Sequence, residues 1–485
     1  MKDNRLVAST SFTLFLAILF FLGCSTNNFV FAAKPDKTPP SAPSNLKATV
    51  ITDSSVTLSW SAATDNVGVA AYDIYKNNVF LASTKNTTYI ISGLNAGTTY
   101  TFCVKAKDAK GNLSKASNTI TVTTTSAAPP VTQPLTKKIV GYYAGWSSYS
   151  GYSANKIDAT KLTHINYAFA NIGPDLKIAL GYPDIDLENF KQLCLLKQAN
   201  PNLKTLISVG GWEWSGKFSD VALTDASRTA FADSAVNFII QYGFDGIDID
   251  WEYPVSGGLN TNIKRPEDKQ NFTLLLQKLR EKLDARGAID QKHYLLTIAG
   301  GAGSGYVGNV ELSKLQQYLD YATIMTYDLH GTWDTYTDFN APLYNNTDVS
   351  PQYKGSVDSS VSAWLNASFP AEKLVMGVPF YGYVYSTVKN TNNGLYQTFS
   401  GANSLSYNTI VNNYLNTPSY VKYWHSQSLV PWLFNGSVFI SYDDPQSIGL
   451  KADYIKSKNL GGAMIWELSQ DHNHDLQNAL YDRLK

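Results

Sequence analysis

Eight short candidate strands recur between Lys137 and Lys485, most of them apolar along their whole length. They are Lys138–Ala144, Leu162–Ala170, Leu203–Val209, Gly243–Glu252, Tyr294–Ala299, Tyr321–Asp328, Leu374–Tyr381 and Gly462–Glu467. Strands that are apolar along their length, rather than alternating, belong to a parallel sheet covered on both faces. Amphipathic stretches such as Arg265–Ala285 and Asp358–Ala367 lie between them. Eight strand–helix units predict an α/β fold, a (β/α)8 TIM barrel over 137–485, with its chemistry at the carboxyl ends of the strands. The interval before the eighth run is too long for one helix. Residues 383–444, rich in Tyr, Asn and Ser and holding Trp424 and Trp432, are predicted to form an inserted small α+β subdomain and one wall of a cleft.

The residues before the barrel follow a different period. Val56–Trp60, Ala71–Tyr75 and Tyr100–Ala106 alternate apolar with polar, and turn-forming clusters such as Asp108–Asn112 separate them. That pattern predicts an all-β sandwich over 40–125. Trp60 and Leu94 are candidate core residues, and Leu94 followed by Tyr100 resembles a tyrosine corner. The segment is similar to a fibronectin type III domain. It carries no catalytic grouping, so a spacer role is expected. Residues 126–136, with three prolines, predict an extended connector.

At the N-terminus, Lys2 and Arg5 precede the apolar run Phe12–Gly23, and Val30-Phe31-Ala32 offers a cleavage site. This order predicts a signal peptide over 1–32 and a secreted, extracellular protein. Phe21-Leu22-Gly23-Cys24 offers an alternative, lipid anchoring at Cys24. No later segment is apolar enough for a membrane span. The three cysteines are too few for a disulfide framework.

Composition narrows the partners. Lys+Arg 39 balance Asp+Glu 39, which gives no support for nucleic-acid binding. Aromatic residues reach 13%, and nine of the ten Trp fall after residue 136. Flat apolar side chains on an uncharged surface suit a neutral sugar polymer. Trp146, Trp212, Trp214, Trp333 and Trp466 fall at or just beyond strand ends, whereas Trp364 falls in a helical stretch and is predicted to be core.

The fourth run reads Asp245-Gly246-Ile247-Asp248-Ile249-Asp250-Trp251-Glu252-Tyr253-Pro254. Alternation puts Asp248, Asp250 and Glu252 on one face and Ile247, Ile249 and Trp251 on the other. In a barrel the second set packs on helices, so three carboxylates line the interior, roughly 6–7 Å apart along the strand. Such a row cannot be fully ionised. Glu252, outermost, is placed to act as the proton donor that glycosidic cleavage requires. No opposed carboxylate is evident, so the nucleophile is expected to come from the substrate.

Asp245-x-x-Asp248-x-Asp250-x-Glu252 resembles the signature of family 18 chitinases. Ser208-Val209-Gly210-Gly211-Trp212, Met325-Thr326-Tyr327-Asp328, Gly141-Tyr142-Tyr143 and Asn166-Tyr167-Ala168-Phe169 resemble that family's other strand-end motifs. The resemblance implies an insertion-bearing chitinase that uses substrate-assisted retention. Glu252 would be the acid and base, Asp250 would orient the 2-acetamido group, Asp248 would share its proton, and Tyr327 would bind the acetamido carbonyl. Tyr142, Phe169, Trp212, Met325, Asp328, Tyr381 and Trp466 would bind sugar. The implied partners are chitin and chito-oligosaccharides; no cofactor, metal, nucleic acid or membrane partner is expected, and a monomer is the default expectation.

One departure stands out. Tyr383 follows Pro379-Phe380-Tyr381-Gly382, where many such relatives carry Arg, so a neighbouring subsite is expected to differ. Two alternatives are a chitin-binding lectin on the same fold and a hydrolase of another 2-acetamido glycan, such as peptidoglycan or an N-glycan core. The intact acidic row favours an enzyme. Asp471-His472-Asn473-His474-Asp475 is read as a solvated loop rather than a metal site.

Overall fold

In the computed structural model the described residues are 36–52, 55–125, 135–348 and 355–485. The expected leader, the Cys24 alternative and most of the connector lie outside them. The chain divides into two units, Met1–Pro129 and Pro130–Lys485.

The first unit is a seven-stranded sandwich. Ser44–Ile51, Val56–Ser61 and Thr88–Ile91 form one sheet; Val79–Thr84, Val69–Lys76, Thr99–Asp108 and Ile120–Thr123 form the other. Alternate residues of Thr99–Asp108 are buried, and Phe102, Val104 and Ala106 meet Leu58, Trp60 and Ile74 between the sheets. Trp60 packs edge-on to Tyr72 at 5.6 Å. The Tyr100 hydroxyl accepts from the Asn95 backbone N–H at 2.9 Å, which closes the tyrosine corner that the Leu94–Tyr100 spacing predicts.

In the second unit eight parallel strands close on themselves: Lys138–Ala144, His164–Ile172, Lys204–Gly210, Gly246–Asp250, Leu295–Gly301, Tyr321–Met325, Leu374–Pro379 and Gly462–Trp466. Each of the eight predicted runs contains one of these strands or overlaps it. Helices cover the outside, among them Asp225–Tyr242, Asp268–Asp290 and Pro445–Ser457. Reciprocal caps start the first and last of these, Thr224 with Ser227 and Asp444 with Ser447. The alternate face of the fourth strand packs on this layer. Trp251 stacks on Phe218 at 5.5 Å and meets Phe272 edge-on at 5.4 Å.

An antiparallel five-stranded sheet lies between the seventh and eighth strands. Its order is Gly401–Ser406, Tyr381–Ser386, Phe439–Ser441, Val430–Phe434, Val421–His425. Tyr381 follows the seventh strand almost at once, so Tyr381, Tyr383 and Tyr385 share a face beside the barrel's open end. Trp432 is buried in this sheet, stacked on Tyr423 at 5.1 Å.

Candidate active site

Asp248 sits in the middle of the barrel with no exposed surface. Its Oδ2 accepts from Tyr142 Oη and Ser208 Oγ, each at 2.7 Å, and its Oδ1 from Thr297 Oγ1 at 2.6 Å. These donors come from the first, third and fifth strands. Burial raises the Asp248 carboxyl pKa, and the three hydroxyls pull it back.

Asp250, one turn of the pleat outward, is also buried, and its Oδ1 has no hydrogen-bond partner among the described residues. Burial, then the charges of Glu252 and Asp248, push its carboxyl far above the ordinary range. Glu252 lies just past the strand end. Burial lifts its carboxyl to about 7, opposed by a hydrogen bond from Tyr253 and aided by the charge of Asp328. All three carboxyls of the row are thus shifted toward the protonated form by burial, and at Asp250 by its like-charged neighbours as well.

The neighbouring strand end fixes where Glu252 stands. Ser215 Oγ accepts from the Glu252 backbone N–H at 2.8 Å and donates to Gly211 O at 2.8 Å. Asn262 Nδ2 donates to Glu252 O at 3.0 Å. Gly210 has φ 105°, and a Cβ there would meet the Asp250 carbonyl oxygen at 2.3 Å. Backbone crowding thus accounts for this glycine. Ser215, Asn262 and Thr297 were not singled out from the sequence. Their partners are 37, 10 and 49 residues away, so no local spacing marks them.

A cleft of about 770 Å³ opens above the row. Trp212, Asp250, Glu252, Met325, Tyr327, Asp328 and Trp466 line it, together with Tyr253, Tyr306, Asn309 and Trp333. Trp466 forms part of its floor and stacks against Phe169 at 5.8 Å; Tyr142 lies 5.5 Å from Trp466 and is buried. Tyr142 and Asp248 thus lie beneath the cleft rather than on its wall. The Tyr327 hydroxyl points toward Met464 Sδ at 3.8 Å. Trp212 and Trp333 are exposed, whereas Trp364 is buried as expected.

Asp328 Oδ1 accepts from the hydroxyls of both Tyr381 and Tyr383, the latter at 2.6 Å. Burial raises the Asp328 carboxyl pKa against these two bonds. The inserted sheet contributes none of the cleft's lining residues; it reaches the cleft through Tyr381 and Tyr383 behind Asp328. The expected wall is therefore indirect.

The acidic-and-histidine loop after the eighth strand is occupied otherwise. Asp471 accepts from the backbone N–H groups of Asp475, Leu476 and Gln477, and His472 stacks on Tyr152 at 5.4 Å.

Residues 138–471 match the family described as Glycosyl hydrolases family 18, and residues 41–123 match the Fibronectin type III domain. The chain is 47% identical over 405 residues to Chitinase A1 of Niallia circulans, covering 71% of this chain and 58% of that protein. It is 35% identical over 443 residues to Chitinase ChiA of Flavobacterium johnsoniae, covering 72% and 28%. It therefore spans less than two thirds of either relative. A solved structure of a glycoside hydrolase family 18 N-acetylglucosaminidase from Paenibacillus barengoltzii superposes with TM-score 0.66 and 40% identity, covering 72% of this chain and 99% of that one.

Proposed function

The chain belongs to glycosyl hydrolases family 18, and from that premise we propose that it is a secreted chitinase that hydrolyses β-1,4 bonds between N-acetylglucosamine units with retention. The observation that carries this reading is the graded carboxylate row. A buried, hydroxyl-saturated Asp248 leads to an Asp250 with a free oxygen, and then to a Glu252 that lines the cleft and titrates near neutrality. A general acid works best when its pKa lies near the working pH.

In this reading Glu252 donates its proton to the departing glycosidic oxygen. The acetamido carbonyl oxygen of the sugar over Trp466 attacks the anomeric carbon, so the bond to the leaving sugar breaks as the oxazolinium ring forms. Asp250 accepts from the acetamido N–H, and Tyr327 donates to the carbonyl oxygen. Water then attacks the anomeric carbon, the carbon's bond to the oxazolinium oxygen breaks to restore the acetamide, and Glu252 takes the water's proton. Asp248 shares a proton with Asp250 as its charge changes. Trp212, Met325, Asp328 and Trp466 form the sugar-binding surface, with Phe169 supporting Trp466 and Tyr381 supporting Asp328.

Glu252→Gln tests the assignment. Hydrolysis of chitin oligomers should fall by on the order of 10³ or more while binding, followed by tryptophan fluorescence, persists. Turnover at the parental rate would remove Glu252 from the acid role. The Paenibacillus relative favours a second reading within the same chemistry, release of single N-acetylglucosamine units. Product analysis on an end-labelled chitin hexamer separates the two: monomer from one end alone supports unit-by-unit release, and internal cuts support the chitinase.

A further inference from the structure

Three carboxylates from separate segments converge in the β-sandwich. Asp36 precedes the first strand, Asp65 lies in the turn after Val56–Ser61, and Asp108 ends Thr99–Asp108. One oxygen of each lies within 4.8 Å of the others. The surrounding bonds aim these groups at one another. Asp36 Oδ1 accepts from Thr38 N at 3.0 Å and Asn66 Nδ2 at 3.3 Å. Asp65 Oδ2 accepts from Val67 N at 2.9 Å and Gly68 N at 3.0 Å. Asp108 Oδ1 accepts from Lys110 N and Asn112 N, and its Oδ2 from Asn112 Nδ2 at 2.7 Å.

A remainder is left over. Asp36 Oδ2 and Asp65 Oδ1 each expose under 1 Å² and have no hydrogen-bond partner among the described residues. Asp108 is itself 2% exposed. None of the ion pairs among the described residues involves Asp36, Asp65 or Asp108. Buried carboxylate oxygens without donors are costly, and three together repel. A cation removes both penalties at once.

We propose that Asp36, Asp65 and Asp108 bind one calcium ion, which ties the residues leading into the sandwich to two of its turns. All the donors are hard oxygens, with no Cys or His, which argues against zinc and copper. Carboxylates brought from three independent segments suit the flexible coordination of calcium better than the strict octahedron of magnesium. The expectation of no metal followed from the His472–Asp475 loop; the present group is scattered along the chain, so no ligand spacing flags it.

The test uses the full chain, stripped with a chelator and desalted. Titration calorimetry with CaCl2 should give one site per chain, with a Kd of about 10⁻⁵ to 10⁻³ M. Scanning calorimetry in about 10 mM CaCl2 should raise the sandwich transition by roughly 5 °C or more, and equal MgCl2 should raise it much less. Asp65→Asn and, separately, Asp36→Asn should weaken binding at least tenfold. Asp36 precedes the first strand, so its variant tests the site even if Asp65→Asn fails to fold. No heat and no shift at about 10 mM calcium would overturn the proposal. Unchanged affinity in Asp36→Asn would overturn it too, because the ion would then sit elsewhere.

Discussion

At the scale of single residues, Glu252 sets function against stability. Its carboxyl has an ordinary pKa of 4.5 and is lifted to about 7 in the folded chain. Between those values the unfolded chain has released the proton and the folded chain still holds it. Stability therefore falls as pH rises from 4.5 to 7 and levels off above. The full shift corresponds to about 3 kcal/mol. Glu252→Gln, neutral at every pH, should match the parent near pH 4.5 and exceed it by up to that amount at pH 8, read by urea unfolding. Tyr383 gives a second prediction. Its hydroxyl holds down the Asp328 pKa, and the charge of Asp328 holds up that of Glu252. Tyr383→Phe should favour neutral Asp328, lower the Glu252 pKa and move the basic limb of kcat/KM to lower pH. A limb that stays in place would uncouple the pair. The acidic row was legible from alternation alone. The Tyr383–Asp328 bond was not, because it spans 55 residues and joins the inserted sheet to the sixth-strand end.

At the scale of elements, the third strand controls the end of the fourth. The short helix Gly211–Trp214 carries the chain to Ser215, whose hydroxyl receives the Glu252 backbone N–H. Ser215→Ala leaves that buried donor unpaired, at a cost of about 1–3 kcal/mol. We expect kcat to fall by roughly tenfold, with KM little changed, because the acid loses its position rather than the cleft its walls. A change confined to KM would refute this. Most of the eight strands were readable because parallel strands buried on both faces are apolar throughout, and the fourth because its residues alternate. Their ends were not: the fourth strand stops at Asp250, short of the apolar run, since backbone pairing and not composition decides the boundary. Asp36 likewise lies outside the sandwich predicted over 40–125. Its place is set by partners at Asn66 and Asn112, far along the chain.

At the scale of the whole molecule, each unit has its own hydrophobic core. Every residue of the acidic row and its contacts belongs to the second unit. A chain beginning at Leu135 should therefore retain kcat/KM on soluble chito-oligosaccharides within roughly twofold. A larger loss would assign the sandwich a part in turnover on small substrates.

Asp248 is bonded to side chains of the first, third and fifth strands, and this bears on how the barrel can change. An interior layer of this kind is ordinarily where branched apolar side chains can be exchanged at small cost. Here the exchangeable layer and the reactive layer are the same atoms. Mutational drift toward an oilier barrel, or deliberate redesign in that direction, would improve packing and erase the acid row together. Variation that preserves chemistry is thus directed to the outer helices and to loop and inserted-sheet positions other than Ser215, Glu252, Asn262, Tyr381 and Tyr383.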